Sequence, residues 1–205
     1  MYPGIMKSFC SVAVLFCASM SFSQAEFSAE VVNDKRPDAA PTKIYFGKDK
    51  MRMESANRGD REGSALIVDI STHTTTALLD QQHVYMEMPQ QMANQSRPYD
   101  FFRVHDVENA CSDWLAQERN KGGSCHKVGN DTVNGRSTVK YEGTNAKGEA
   151  GTVWIDPKLQ FPVKWQGKNG DGGELRNIQE GSQPASLFEI PAGYAKFDMR
   201  GMQHR

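Results

Sequence analysis

The sequence has little of what marks a catalytic or nucleic-acid-binding protein. It contains no block of basic residues, and removing Lys7, the only charge before Glu26, takes the formal net charge from −1 to −2. Nucleic acid and anionic membrane surfaces are therefore not expected partners. There is no Gly-x-Ser-x-Gly elbow and no phosphate loop. Gly167–Gly173 is glycine-rich, but it falls between two strand-like runs, where a hairpin turn is the simpler reading. His73, His83, His105, His126 and His204 share no zinc spacing. No carboxylate lies in an apolar run that would raise its pKa for acid–base work. These absences point away from an enzyme, and no cofactor is expected.

Long apolar runs are also missing, with one exception. Ser8–Met20 follows the positive Lys7 and is dominated by Phe9, Val12, Ala13, Val14, Leu15 and Phe16. It is shorter than the ~20 residues that cross a bilayer. Ser23 and Ala25 then place small residues at −3 and −1 of a cleavage site, so residues 1–25 read as a Sec-type signal peptide. Phe16 stands where a lipid-modification signal before Cys17 requires a small residue. Cleavage after Ala25 is expected, giving a periplasmic or secreted chain with no transmembrane segment. Residues 26–205 are about the size of one domain.

Cysteine is scarce as well. Cys10 and Cys17 leave with the leader, and Cys111 and Cys125 remain. An even pair in an exported chain is most simply a disulfide. Two cysteines fall short of a structural zinc set, and the spacing is not that of a Cys-x-x-Cys dithiol.

What the sequence does have is alternation. In Gly151–Trp165, Val153 and Ile155 alternate with Thr152 and Trp154, the Asp156-Pro157-Lys158 turn interrupts, and Phe161, Val163 and Trp165 resume. Period two on both sides of a turn predicts an antiparallel hairpin. Pro162 cannot donate to a ladder, so its nitrogen should face a gap or an edge. The same pattern predicts strands over Phe27–Val32, Lys43–Phe46, Met51–Glu54, Leu66–Ile70, Thr74–Leu79, His83–Met88, Arg136–Glu142 and Glu174–Gln179. Leu187–Pro191 should close the fold. Pro89–Pro98 reads as a loop or crossing segment.

Only one stretch is persuasively helical. Val107, Ala110, Cys111, Trp114 and Leu115 recur at three-to-four spacing, with Asp106 as N-cap and Gly122-Gly123 as a stop. One curved antiparallel sheet with a helix on one face is the economical architecture.

The progression Cys125…Val128-Gly129…Val133-Asn134-Gly135-Arg136, Val153-Trp154-Ile155-Asp156-Pro157, Phe161-Pro162-Val163, Leu175-Arg176-Asn177-Ile178 and Leu187–Tyr194 resembles the LolA-like superfamily, nearest to its uncharacterised periplasmic members. The resemblance implies a mainly β fold, a half-open barrel whose concave apolar face is covered by one or two helices. It also implies a cavity that, in the carriers, accepts lipoprotein acyl chains. These motifs are strand ends and turns, and no carrier's functional residues map onto this chain.

The strands offer Ile44, Phe46, Met53, Val68, Ile70, Val84, Met86 and Met88, with Trp114 and Leu115 of the helix, as cavity-lining candidates for an apolar or amphipathic ligand. Methionine, flexible and polarisable, suits a lining whose contents vary in shape. Two other readings remain for Met51, Met53, Met86 and Met88. Met-x-Met pairs can present soft thioethers to Cu(I), or the methionines can simply fill a core, as in an envelope protein with a structural role and no ligand. Aliphatic neighbours would favour the lipid reading, and His83 clustered with methionine sulfurs would favour copper.

Overall fold

The computed structural model describes residues 25–55, 64–88, 104–116 and 120–197. The expected leader up to Gln24 and the expected loop Pro89–Pro98 lie outside the described residues. Twelve strands form a single sheet. In the first half these are β1 (Phe27–Asn33), β2 (Thr42–Phe46), β3 (Lys50–Glu54), β4 (Ser64–Asp69), β5 (Thr74–Leu79) and β6 (Val84–Met88). In the second half they are β7 (Ser124–Val133), β8 (Arg136–Thr144), β9 (Ala150–Asp156), β10 (Phe161–Gly167), β11 (Gly172–Glu180) and the two-residue β12 (Ala195–Lys196).

Their spatial order is β12-β6-β5-β4-β3-β2-β1-β11-β10-β9-β8-β7. The first six strands run outward from the middle of the sheet in chain order. The next five run inward from the other edge, until β11 pairs with β1. All pairs are antiparallel except β12 with β6. The sheet is curved and does not close, leaving β7 and β12 as edges.

Register follows one face across the whole sheet. Phe27, Phe46, Met51, Val68, Thr75 and Met88 oppose one another in successive strands. So do Ala29, Ile44, Met53, Leu66, Ala77 and Met86. On the other side of β1 the face continues through Val31 and Leu175, then Gly173, Trp165, Val153 and Tyr141. Period-two alternation in each strand sends these side chains to one side, here called the inner face. Its centre is a packed aromatic cluster. Phe27 and Phe46 stack at 5.6 Å, and Phe161 meets both edge-on at 5.2 and 5.5 Å.

The helix sits on this inner face. A 3₁₀ turn, Val107–Asn109, runs into α1 (Ala110–Ala116), which with Val104 covers Val139, Tyr141 and Ile155. The Asp106 carboxylate accepts from Glu108 N at 2.9 Å, the N-cap expected of that residue. Gly122 is left-handed (φ +82°), as a chain reversal after a helix requires.

The outer face of the first half is covered by the chain's C-terminal segment. Ala65, Ile67 and Leu78 pack there with Tyr85 and Tyr194. Arg52 donates to Leu187 O at 3.1 Å, and Tyr194 Oη donates to Asp80 at 2.7 Å. Leu187 and Phe188 belong to a 3₁₀ turn, so this segment closes the fold as a strap rather than as a regular strand. Gly47 lies beneath it, and a Cβ there would stand 2.8 Å from the Phe188 ring, which would have to shift.

Two details bear on the sequence reading. The β10–β11 ladder begins at Lys164, and a bulge interrupts β9–β10 between Pro162 and Lys164, so Pro162 does sit at a gap. The ten-residue β7 is not among the expected strands. It is an edge strand in which only Val133 is buried, so its sequence carries no apolar alternation.

Candidate functional site

A cavity of about 470 Å³ lies between α1 and the inner face of β8, β9 and β10. Its floor comes from register. Gly143 of β8, Gly151 of β9 and Gly167 of β10 are direct cross-strand partners, and all three line the cavity. A row of three glycines leaves bare backbone where neighbouring rows carry side chains. Gly143 has no alternative, because a Cβ there would collide with Ser124 O. Gly151 is freer, since a Cβ would find Gln166 O at 3.4 Å.

The walls are apolar. In the next row Tyr141, Val153 and Trp165 oppose one another, followed by Ile155 and Pro162. The Trp165 ring lies against Gly173, where a Cβ would come within 2.8 Å of it. Val104, Ala110 and Trp114 form the roof. The apolar lining and the volume suit a small-molecule site, which runs to several hundred Å³ in solved proteins.

The roof is fixed in three places. Tyr141 Oη donates to Val107 O at 2.6 Å, and burial raises this phenol above its ordinary pKa. Cys111 of α1 is bonded to Cys125 of β7, with Cα atoms 5.4 Å apart. Lys127 pairs with Glu108, and that hydrogen bond raises the ammonium pKa. The expected disulfide is thus present, and it ties the roof to the sheet edge.

Polar groups gather at one end, where the β8–β9 and β10–β11 turns meet. Asn145 and Glu149 come from the first turn and Lys168 and Asp171 from the second, with Asp113 of α1 near them. Asn145 donates to Glu149 at 2.7 Å, Asp171 pairs with Lys35, and Asp113 accepts from His105 N at 3.1 Å.

Of the residues nominated from sequence, Trp114 lines this cavity. Ile44, Phe46 and Val68 are buried in the central cluster, with Met53 and Ile70 packed against it. Val84, Met86 and Met88 are half-buried on β6, and Leu115 is half-buried on α1. The strand candidates do share the inner face, but they occupy its other half.

The methionine pairs are not brought together. Met51 and Met88 share a row but stand three strands apart, about 14 Å at ~4.8 Å per strand. His83 packs edge-on against Tyr194 at 5.6 Å, next to the strap. Among the described residues, no group of three or more His, Cys, Asp or Glu could hold a metal.

The glycine row escapes a sequence reading because Gly143 and Gly167 look like turn residues. The available signal is parity: each lies two residues from Tyr141 or Trp165, and Gly151 two from Val153.

The class these features define is an open, curved antiparallel sheet with a helix over its inner face. No family model matches the chain, and no curated protein does. Among solved structures it is similar to an uncharacterized conserved protein from Thermus thermophilus, at 12% identity and a TM-score of 0.53, over 85% of this chain and 91% of that one. It is similar to MucB at 12% identity and a TM-score of 0.51, over 83% of this chain and 58% of MucB. The LolA superfamily protein NE2245 from Nitrosomonas europaea aligns at 10% identity and a TM-score of 0.35, over 82% of this chain and 91% of that one. At 12% identity the likeness to the first two is one of fold. Among the described residues no helix is long and apolar enough to cross a membrane.

Proposed function

We propose that the protein is exported and binds an apolar or amphipathic ligand, such as a lipid acyl chain, in the cavity beneath α1. The observation that carries this reading is the glycine-floored cavity of about 470 Å³, walled by Trp114, Val153, Ile155 and Trp165. The cavity opens to solvent, so its apolar walls stay in contact with water until a ligand covers them. An alkyl chain does this. Among the described residues the cavity presents no nucleophile backed by a base, so binding or carriage fits better than catalysis. Cu(I) binding is the weaker alternative, since two methionine pairs three strands apart cannot share one ion. A purely structural envelope role is the other alternative.

The test is equilibrium binding of saturated fatty acids of increasing length to the delipidated chain. Each buried methylene contributes about 0.8 kcal/mol, so affinity rises with length on this reading. Affinity indifferent to length, or no binding, would leave the structural role. Export is tested by the intact mass of the product from the envelope, which should begin at Glu26. A mass carrying diacylglycerol on Cys17 would contradict it.

A further inference from the structure

We infer that the ligand of this cavity carries a flat ring, aromatic or fused, that lies face-down on the glycine row. This rests on the binding reading above and narrows it to ring-bearing amphiphiles, with any alkyl part running along Val153, Ile155 and Pro162.

One glycine of the row is not needed by the fold. A Cβ at Gly143 would collide with Ser124 O, and one at Gly167 would stand 3.0 Å from Asp171 O. At Gly151 a Cβ would meet Gln166 O at 3.4 Å, an ordinary contact, and no other atom within 4 Å among the described residues. Gly151 is not left-handed, so its backbone suits any residue. It lies within β9 and is paired on both sides, away from the bulge between Pro162 and Lys164. A glycine inside a strand weakens it, and where no bend or bulge explains it, it marks close approach by another group. Parity turns this position toward the cavity, so the approach comes from there.

The bare strip has the shape of a flat group. Strands stand ~4.8 Å apart, so three glycines side by side bare a width of about 10 Å. Along the strands the strip ends at Tyr141, Val153 and Trp165 on one side and at Asn145 and Glu149 on the other. Those two rows are about 14 Å apart at ~3.4 Å per residue. A two-ring aromatic is smaller than the strip in both directions and touches it with a whole face. An alkyl chain, round in section, touches it along a line and gains fewer dispersion contacts.

The sheet already covers one such glycine with a ring. Gly173 of β11 is the direct partner of Trp165. A Cβ there would stand 2.8 Å from Cζ2 and 3.3 Å from Cε2 of that indole, so the six-membered ring takes the place of a side chain. Aromatic cover of bare glycine backbone is a recurrent sheet device. A ligand ring on the neighbouring row would sit beside Trp165 and Tyr141 and beneath Trp114, where aromatic pairs add to apolar burial. A hydroxyl on the ring, turned toward the loops, meets the Asn145–Glu149 pair.

The experiment is calorimetric titration of the delipidated chain with 2-naphthol, decahydro-2-naphthol and 1-decanol. All three have ten carbons and one hydroxyl, and they differ in flatness. The flat naphthol should bind about fivefold tighter than either of the others, although it has the least apolar surface. In proton magnetic resonance the Hα signals of Gly143, Gly151 and Gly167 should move upfield with naphthol, as protons beneath an aromatic face do.

Gly151→Val puts a branched side chain on the strip at a position where a Cβ fits. It should keep or raise the melting temperature and weaken naphthol about tenfold, while decanol binds nearly as before. Gly151→Ala should move naphthol the same way by less. Naphthol binding no tighter than decahydronaphthol or decanol would overturn the inference and leave the proposed function standing. So would unchanged naphthol affinity in folded Gly151→Val, or a collapse of the melting temperature in both variants, which would show that the fold needs this glycine. Failure of all three probes to bind would overturn the proposed function itself.

Discussion

The two halves of the sheet put the same inner face to opposite uses. From β1 to β4 the rows are filled: Phe27, Ile44, Phe46, Met51 and Val68 are buried, and Phe161 reaches across to join them. From β8 to β10 one row is Gly143, Gly151 and Gly167, and the face there opens into the cavity under α1. Both halves follow the same alternation. What separates a core from a candidate site is three missing side chains, held open by a roof that a disulfide and a buried tyrosine hydrogen bond fix in place.

The sharpest way to break this comparison is to empty the filled half. Phe27→Ala should cost about 3–5 kcal/mol, read as a lower urea midpoint, because a fully buried ring leaves a cavity that its neighbours cannot collapse into. A cost below ~1 kcal/mol would mean that the first half is as loosely filled as the second.

Cutting the roof from the sheet should rank next. Replacing Cys111 and Cys125 together by serine removes a bridge with a sequence separation of 14, worth roughly 3 kcal/mol in the chain-entropy view. The melting temperature should fall, while alkyl affinity in the folded fraction changes little. Affinity that collapses with the bridge would make the disulfide part of the site rather than its scaffold.

Asp106→Ala removes the cap of the helical segment and should lower the urea midpoint by less than the loss of the bridge does. The smallest effect should come from acid. The Trp154 indole donates to Asp131 at 2.7 Å and lowers its pKa, and Lys158, then Arg136, lowers that of Glu180. A carboxyl whose folded pKa lies below its unfolded value stabilises the fold above that unfolded value. The contribution is lost as pH falls through about 4 toward the folded pKa. Both groups are at the surface, so the urea midpoint should decline modestly between about pH 6 and pH 3. Trp154→Phe should flatten part of that decline. A midpoint that rose on acidification would contradict the assignment.

How much of this is legible in sequence depends on whether a residue's neighbours in the chain share its environment. The strands β1 to β6 and the hairpin around Asp156 show plain alternation, and α1 shows its stripe and cap, so those elements and the common face of Ile44, Phe46, Val68 and Met86 can be read directly. β7 cannot be read that way, because an edge strand with polar residues on both sides has no apolar period. Its one local signal is Asn134-Gly135, both left-handed (φ +49° and +78°), a pair that marks a tight hairpin. The cavity is the least legible feature. The methionines suggest an adaptable lining, but a void comes from absent side chains. The glycines that make it meet only when β8, β9 and β10 are set in register.

The central claim is that an alkyl ligand occupies the glycine-floored half and not the methionine-bearing half. Nuclear magnetic resonance of the delipidated chain, observing the three tryptophan indoles and the methionine methyls during titration with a single-chain phosphocholine, tests it most directly. The indole signals of Trp114 and Trp165 should shift in proportion to occupancy. Trp154, held to Asp131 and flanked by Lys140 and Lys164, should stay in place, as should the methyls of Met53, Met86 and Met88. Shifts confined to the methionine methyls, with Trp114 and Trp165 unmoved, would contradict the account.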